Sequence, residues 1–216
     1  MKIGVPFRIF EIFVLKRRAE VMARCLETMN PAATDTCLEI GGPTNSMSEL
    51  TRKFGQYTVI NMDADYLSKN RSYYSGNFQP MAADGCRLPF KDKSFDFIFA
   101  NALLEHIPRH QRHLFAAEVG RICRKGFFII NDNHWFPLDP HYLVPFYQYL
   151  PHSFKRTVSN YVAFKWFPRG TYDPIDLLTI KEYKKLFPGA RYEGLRFPFS
   201  PIAESIIVWK RHMTTL

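Results

Sequence analysis

Between Phe7 and Met29 the apolar side chains Phe7, Phe10, Val14, Val21, Met22, Cys25 and Met29 recur mostly at steps of three, four or seven. That is the spacing of one helix face, and it predicts one or two amphipathic helices that stop at Asn30-Pro31. Thr36 to Ile40 then reads as a short apolar strand running into Gly41-Gly42-Pro43. Ser46-x-x-Glu49 has the form of a capping box, with Met47, Leu50 and Phe54 on one helix face and Gly55 as its stop. Tyr57 to Asn61 predicts a second strand, ending just before Asp63, and Phe95 to Ala100 a further one after the turn Lys91-Asp92-Lys93. A helix is expected from Pro108, carrying Leu114, Phe115, Val119 and Ile122 and closed by Gly126. Phe127 to Ile130 is the continuous apolar run of a strand buried on both faces.

Strands and helices alternating in this way imply a doubly wound, mostly parallel α/β sheet of the Rossmann-like kind. The pattern changes after Asn131. Residues 132–175 are rich in proline and aromatics, with helices expected around Tyr142 to Leu150 and Ser153 to Phe164, and they read as a helical insertion after the fifth strand. Alternation resumes with a helix near Thr179 to Phe187, and two strands, Ala190 to Phe197 and Glu204 to Trp209, close the fold as an antiparallel pair. A length of 216 residues fits one domain with elaborations. Its expected parts are an N-terminal helical cover over residues 1–30, the core, and the insertion at 132–175 as a lid over an acceptor.

Composition adds limits. With 46% hydrophobic and 23% charged residues the chain has ordinary globular material, which excludes disorder and a disulfide scaffold. Twenty Phe, 11 Tyr and 15 Pro stand beside a formal charge of +9. The positive charge favours acidic partners in general, but it is spread along the chain and singles out no nucleic-acid face. Cys25, Cys37, Cys86 and Cys123 form no C-x-x-C pair, so structural zinc is not expected, and free thiols suit a reducing cytoplasm. The apolar run Ile9 to Leu15 is broken by Glu11 and followed by Lys16-Arg17-Arg18 without a cleavage pattern, which argues against secretion. No stretch approaches 18 uncharged apolar residues. Residues 1–29 are expected to pack on the core or cover a ligand, with attachment to a membrane surface as the alternative.

The candidate chemistry sits at the carboxyl ends of the strands, where doubly wound sheets bind ligands. In Glu39-Ile40-Gly41-Gly42-Pro43-Thr44-Asn45-Ser46, glycine lets the backbone approach a ligand and the following helix offers unpaired N–H groups. Asp63, 24 positions beyond Glu39, is placed to accept both hydroxyls of a ribose. Asp84, in Ala83-Asp84-Gly85-Cys86, is placed to accept from an adenine amino group while Gly85 and its neighbours flank the ring. Taken singly, Asp63 also reads as a helix cap and Asp84 as a turn residue. A dinucleotide would want G-x-G-x-x-G, which fails here at Pro43 and Asn45. A ligand with adenine and ribose but no phosphates tolerates that failure, which points to S-adenosyl-L-methionine.

These segments resemble the class I S-adenosylmethionine-dependent methyltransferases, in particular their type 11 subfamily. CLEIGGPTNS resembles the first motif, VINMDAD the ribose-binding segment, and AADGCRLPFKDKSFDFIFANALLEHIP the adenine-binding and fourth-strand block. The matching core runs from Thr36 to Ile130. The resemblance implies that Glu39, Gly41 and Gly42 shape the methionine end, Asp63 the ribose, Asp84 the adenine, and Asn101 the floor near the sulfonium. Pro43 and Asn45 depart from the motif's glycines. Ala102 stands where related quinone methyltransferases carry a metal-binding Glu, so no metal is implied. Asn101-Ala102-Leu103-Leu104 lacks the Pro-Pro-aromatic motif of enzymes that methylate nucleic-acid bases.

NDNHWFPLDPHYLVPFYQYLP is similar to a segment of bacterial surface-glycan enzymes. His106, His134 and His141 follow strand ends, and His106 and His141 are the candidate bases. Trp135, Phe136, Tyr142 and Phe146 would line the lid. The expected activity is methyl transfer from S-adenosylmethionine to an oxygen on a small or conjugated acceptor: a sugar, a lipid-linked glycan or a secondary metabolite. A non-catalytic cofactor-binding regulatory subunit and an RNA methyltransferase stay as alternatives, and oligomeric state is left open.

Overall fold

Seven strands build the sheet: β1 (Thr36–Ile40), β2 (Gln56–Asn61), β3 (Phe78–Ala82), β4 (Phe95–Asn101), β5 (Cys123–Asp132), β6 (Arg191–Arg196) and β7 (Ala203–Arg211). Their order is β3-β2-β1-β4-β5-β7-β6, in a mixed sheet that is mostly parallel with an antiparallel end. The computed structural model describes residues 5–42, 45–73, 78–139, 144–161, 175–196 and 200–212, with side chains undescribed at 5–15, 45–48, 73 and 159–161. β1 pairs in parallel with β2 on one side and β4 on the other. The chain therefore reverses its direction of winding at β1, and sheets of this topology hold their ligands outside the carboxyl ends of the strands at such a reversal, here β1 and β4. The buried runs of β1, β2 and β4 have the near-continuous apolar character of parallel strands covered on both faces.

The chain packs as two compact units: Met1–Asn101 with Ala117–Phe128 and Trp209–Leu216, and Ala102–Ala116 with Ile129–Val208. In the first, α1 (Val5–Met29) is a single helix. It ends at Asn30, whose φ of 42° turns the chain left-handed while its N–H still reaches the Leu26 carbonyl at 2.7 Å. Val21, Cys25 and Met29, four residues apart, are buried, and α1 packs against the turn that follows β1. That turn, Asn45–Lys53, is a 3₁₀ helix and not the expected α-helix, and buries Leu50 and Thr51. Gly55 has no left-handed role there; its N–H binds the Asp35 carbonyl at 2.9 Å.

A short helix, α2 (Ala64–Lys69), follows β2. The strand β3 was not expected, because Pro80 interrupts its apolar run. A proline is tolerated here because β3 is an edge strand, paired with β2 alone. α3 (Arg112–Ile122) passes straight into β5, so Gly126 lies inside a strand and does not close the helix. The closure comes from Lys93, whose Nζ donates to the carbonyls of Gly120 at 3.2 Å and Cys123 at 2.8 Å.

In the second unit the insertion holds a 3₁₀ turn (Tyr147–Tyr149) and α4 (His152–Tyr161). The expected helix around Tyr142 to Leu150 is thus a short turn over its described part; residues 140–143 and 162–174 lie outside the described residues, as do 197–199 at the end of the expected Ala190 to Phe197 strand. Tyr147, Ile175 and Leu177 form a small core with Val144, Leu150 and Val158. α5 (Ile180–Leu186) starts at a complete capping box in which Thr179 and Glu182 exchange hydrogen bonds. Among the described residues no helix is long and apolar enough to cross a membrane.

Candidate functional site

In the first unit four strand ends bring the predicted residues to one edge of the sheet. Glu39 is fully buried and accepts a hydrogen bond from the Tyr57 hydroxyl at 3.0 Å. The next residues turn sharply: Gly41 has φ of 85°, and its N–H reaches the Ile60 carbonyl at 2.8 Å. Gly42 is needed for a different reason. A Cβ there would stand 2.5 Å from Glu39 Oε1 and 2.7 Å from Val59 Cγ1. Pro43 and Thr44 lie outside the described residues.

Asp63 caps α2, its Oδ1 accepting the Tyr66 N–H at 3.0 Å. Asp84 closes a tight turn over Gly85, its Oδ1 accepting the Cys86 N–H at 2.8 Å. Both plain structural readings of these carboxylates are therefore realised, yet neither uses the whole group. Each residue is exposed, each has one oxygen tethered to backbone, and the second oxygen makes no hydrogen bond to a described residue. Asn101 ends β4, half-buried, and Ala102 after it adopts a φ of 49°.

Sequence reasoning missed Asn61, the last residue of β2. Its side chain donates to the carbonyls of Gly41 and Gly42 and accepts from Asp63 N–H. The available signal was a polar amide ending an apolar strand two residues before the acidic one.

Of the proposed bases, His106 is exposed and lies in the turn after β4, its N–H on the Leu103 carbonyl at 3.0 Å. His141 lies outside the described residues, as does Tyr142. His134 meets Trp135 and Tyr149 edge to face, with centroids 4.9 and 5.3 Å away. The second unit also carries a group of acids that the sequence did not single out. Burial, and then the charges of Glu105, Asp139 and Glu204, push the Asp132 carboxyl well above its usual range, against a hydrogen bond from Ser205. Its signal was the polar run Asn131-Asp132-Asn133 directly after buried strand residues.

A raised acid in the folded state binds its proton more tightly than in the unfolded chain, so stability falls as pH rises through the folded pKa. Asp132→Asn, which cannot ionise, is therefore expected to melt a few degrees above the parent at pH 8. The two should converge below about pH 4, where the unfolded carboxyl also protonates. Melting curves from pH 3.5 to 8 check this, and a constant difference at all pH values would contradict it.

The buried thiols are chemically quiet. Burial pushes Cys25 and Cys37 far up, with Glu39 adding to both, and Cys123 is pushed up to about 11.

The profile of a methyltransferase domain family, type 11, matches residues 38–130. No curated protein sequence matches the chain. Among solved structures the chain is similar to magnesium protoporphyrin IX methyltransferase of Synechocystis with bound SAH (12% identity, TM-score 0.61, 97% of this chain and 88% of that one). It is also similar to the N-methyltransferase NodS of Bradyrhizobium japonicum (12%, 0.59, 92% and 96%). A third is geranyl diphosphate C-methyltransferase of Streptomyces coelicolor (11%, 0.60, 91% and 77%). Residues 38–130 therefore belong to the methyltransferase domain family, and the chain has the fold of class I S-adenosylmethionine-dependent methyltransferases.

Proposed function

We propose that the first unit holds S-adenosylmethionine along the strand ends just described and that the chain passes its methyl group to an oxygen nucleophile of a small or glycan-type acceptor. Glu39, Gly41 and Gly42 would shape the methionine end, Asp63 would take the ribose hydroxyls, Asp84 and Gly85 the adenine, and Asn101 the floor near the sulfonium. The observation that carries this assignment is the pair of half-used carboxylates. Asp63 and Asp84 are exposed, are each oriented by one backbone N–H, and each keep an oxygen that no described residue uses. Two hydroxyls and an exocyclic amino group need such acceptors. The cofactor supplies an activated methyl on a sulfonium. The chain's part is to align donor and acceptor, and alignment alone can contribute about 7 kcal/mol to such a displacement.

The insertion after β5 is proposed as the acceptor lid. Supporting this, Trp135, Phe146 and Tyr149 stay exposed. Phe146 holds a left-handed φ of 61°, with its N–H on the Pro137 carbonyl at 2.6 Å. Bulky residues adopt that conformation only under constraint. His106 and His141 remain the proposed bases, with proximity sufficient if neither acts.

Calorimetry with S-adenosylhomocysteine tests the site. The parent is expected to bind, and Asp63→Ala to bind roughly 10- to 100-fold more weakly, as loss of hydrogen bonds to a charged acceptor predicts. No binding by the parent at millimolar ligand would sink the assignment. With an acceptor in hand, turnover should fall in step with cofactor affinity; binding without turnover would favour the regulatory-subunit reading.

A further inference from the structure

Three segments of the proposed cofactor site leave three different strands, and one residue joins them, two through its side chain and the third through its main-chain carbonyl. The Asn61 Nδ2 donates to the Gly42 carbonyl at 2.8 Å and to the Gly41 carbonyl at 3.2 Å. Its Oδ1 accepts the Asp63 N–H at 3.0 Å, and its main-chain carbonyl accepts the Ala83 N–H, beside Asp84, at 3.0 Å. We propose that Asn61 is the positioning residue of the cofactor site, setting the span between the glycine turn at the methionine end and the carboxylate at the ribose. This rests on the placement of S-adenosylmethionine proposed above.

The chemistry demands an amide. Two donors and one acceptor must leave a single short side chain: aspartate has no donor, serine has one, and alanine has neither. The peptide plane transmits the effect. In a trans peptide the carbonyl and the N–H point in opposite directions, so turning the Gly41 carbonyl toward Asn61 turns the Gly42 N–H away from it. Pro43 has no N–H, so the Gly42 carbonyl is the polar group its peptide offers, and Asn61 takes it. Asn61 thus fixes the direction of the turn's peptides and, through the Asp63 N–H, the start of the segment that carries the carboxylate.

Asn61→Asp separates the two halves of this role. It keeps an oxygen for the Asp63 N–H but sets a second oxygen against two carbonyls. The experiment is calorimetry of parent and variant with S-adenosylhomocysteine and with adenosine, which lacks the amino-acid end, with thermal melting to confirm folding. The variant is expected to lose at least 10-fold in affinity for S-adenosylhomocysteine and less than threefold for adenosine. A residue that merely stabilises the fold would lower the melting point and leave both affinities unchanged in the folded protein; that result overturns the proposal, as does an equal loss for both ligands. If Asn61→Asp does not fold, Asn61→Ala replaces it, and unchanged affinity for S-adenosylhomocysteine overturns the proposal. Failure of the parent to bind either ligand would instead overturn the underlying site assignment.

Discussion

Arg112→Met is expected to destabilise the protein by about 3–5 kcal/mol, the cost of stripping the partner from a buried ion pair. For a chain of this size that is a fall in Tm of roughly 6–20 °C. Only 4% of the Arg112 side chain is exposed, and its guanidinium has three acceptors in reach. Nε donates to the Ile107 carbonyl at 2.9 Å, and one terminal nitrogen donates to the Asp176 carbonyl at 2.7 Å and to Asp176 Oδ2 at 3.1 Å. Methionine matches much of the stem but removes this donor from the Ile107 and Asp176 carbonyls and leaves Asp176 Oδ2 with Arg109 alone. Arg109 provides the control. It pairs with the same Asp176 carboxylate but is 65% exposed, so Arg109→Met should cost no more than about 1 kcal/mol.

The same pair predicts an acid response. Burial opposes the Asp176 charge, but the hydrogen bond from Arg109 and the charge of Arg112 outweigh it and hold the carboxyl below its usual range. A depressed folded pKa gives stability that is present above the unfolded value and lost as pH falls through the folded one. The gap between parent and Arg112→Met should therefore narrow below about pH 4. Chemical denaturation of the three proteins at pH 7 and pH 3 measures both effects, and equal losses for the two arginines would contradict the assignment of burial as the deciding factor.

Gly42→Ala carries the second large effect. The new methyl would stand 2.5 Å from Glu39 Oε1, 2.6 Å from its Cδ and 2.7 Å from Val59 Cγ1. Neither neighbour is on the surface: Glu39 and Val59 are both fully buried. Relief requires moving Glu39 off the Tyr57 hydroxyl, so overpacking of about 1–3 kcal/mol adds to a weakened hydrogen bond to a charged group, about 1.5–3 kcal/mol. The expected result is a lower Tm and an affinity for S-adenosylhomocysteine reduced on the order of 100-fold, since the displaced atoms border the proposed methionine end. Gly120→Ala is the matching control. Nothing lies within 4 Å of its added methyl, and alanine in a helix interior should stabilise by up to about 1 kcal/mol. Calorimetry and melting of both variants decide the matter; near-parental binding by Gly42→Ala would show that the turn can relax.

Much of the sheet was legible along the chain because its signals are local. An apolar run followed by glycine marked β1 at Thr36–Ile40 to the residue, and the return of alternation after the insertion marked α5 near Thr179. β3 was illegible for a physical reason: its proline and its outward polar positions are allowed only because it is an edge, and being an edge is a property of the assembled sheet. Gly126 misled in the same way. A glycine after an apolar helix ordinarily ends it, but Lys93, reaching in from the turn before β4, already satisfies those carbonyls.

The functional residues divide along the same line. Residue type and spacing were enough to place Glu39, Gly41, Gly42, Asp63, Asp84 and Asn101 at strand ends and to suggest the ligand, because a doubly wound sheet puts the carboxyl ends of its parallel strands on one edge. Chain proximity could not show that Asn61 ties Gly41 and Gly42 to Asp63, which needs contacts across 19 and 20 residues. Nor could it show that Asp176 lies 64 positions from the arginine that holds it, or that Asp132 gathers three other carboxylates. Hydrogen-bond partners, burial and the pKa shifts that follow from them depend on distances through space, and those exist only once the strands have been paired.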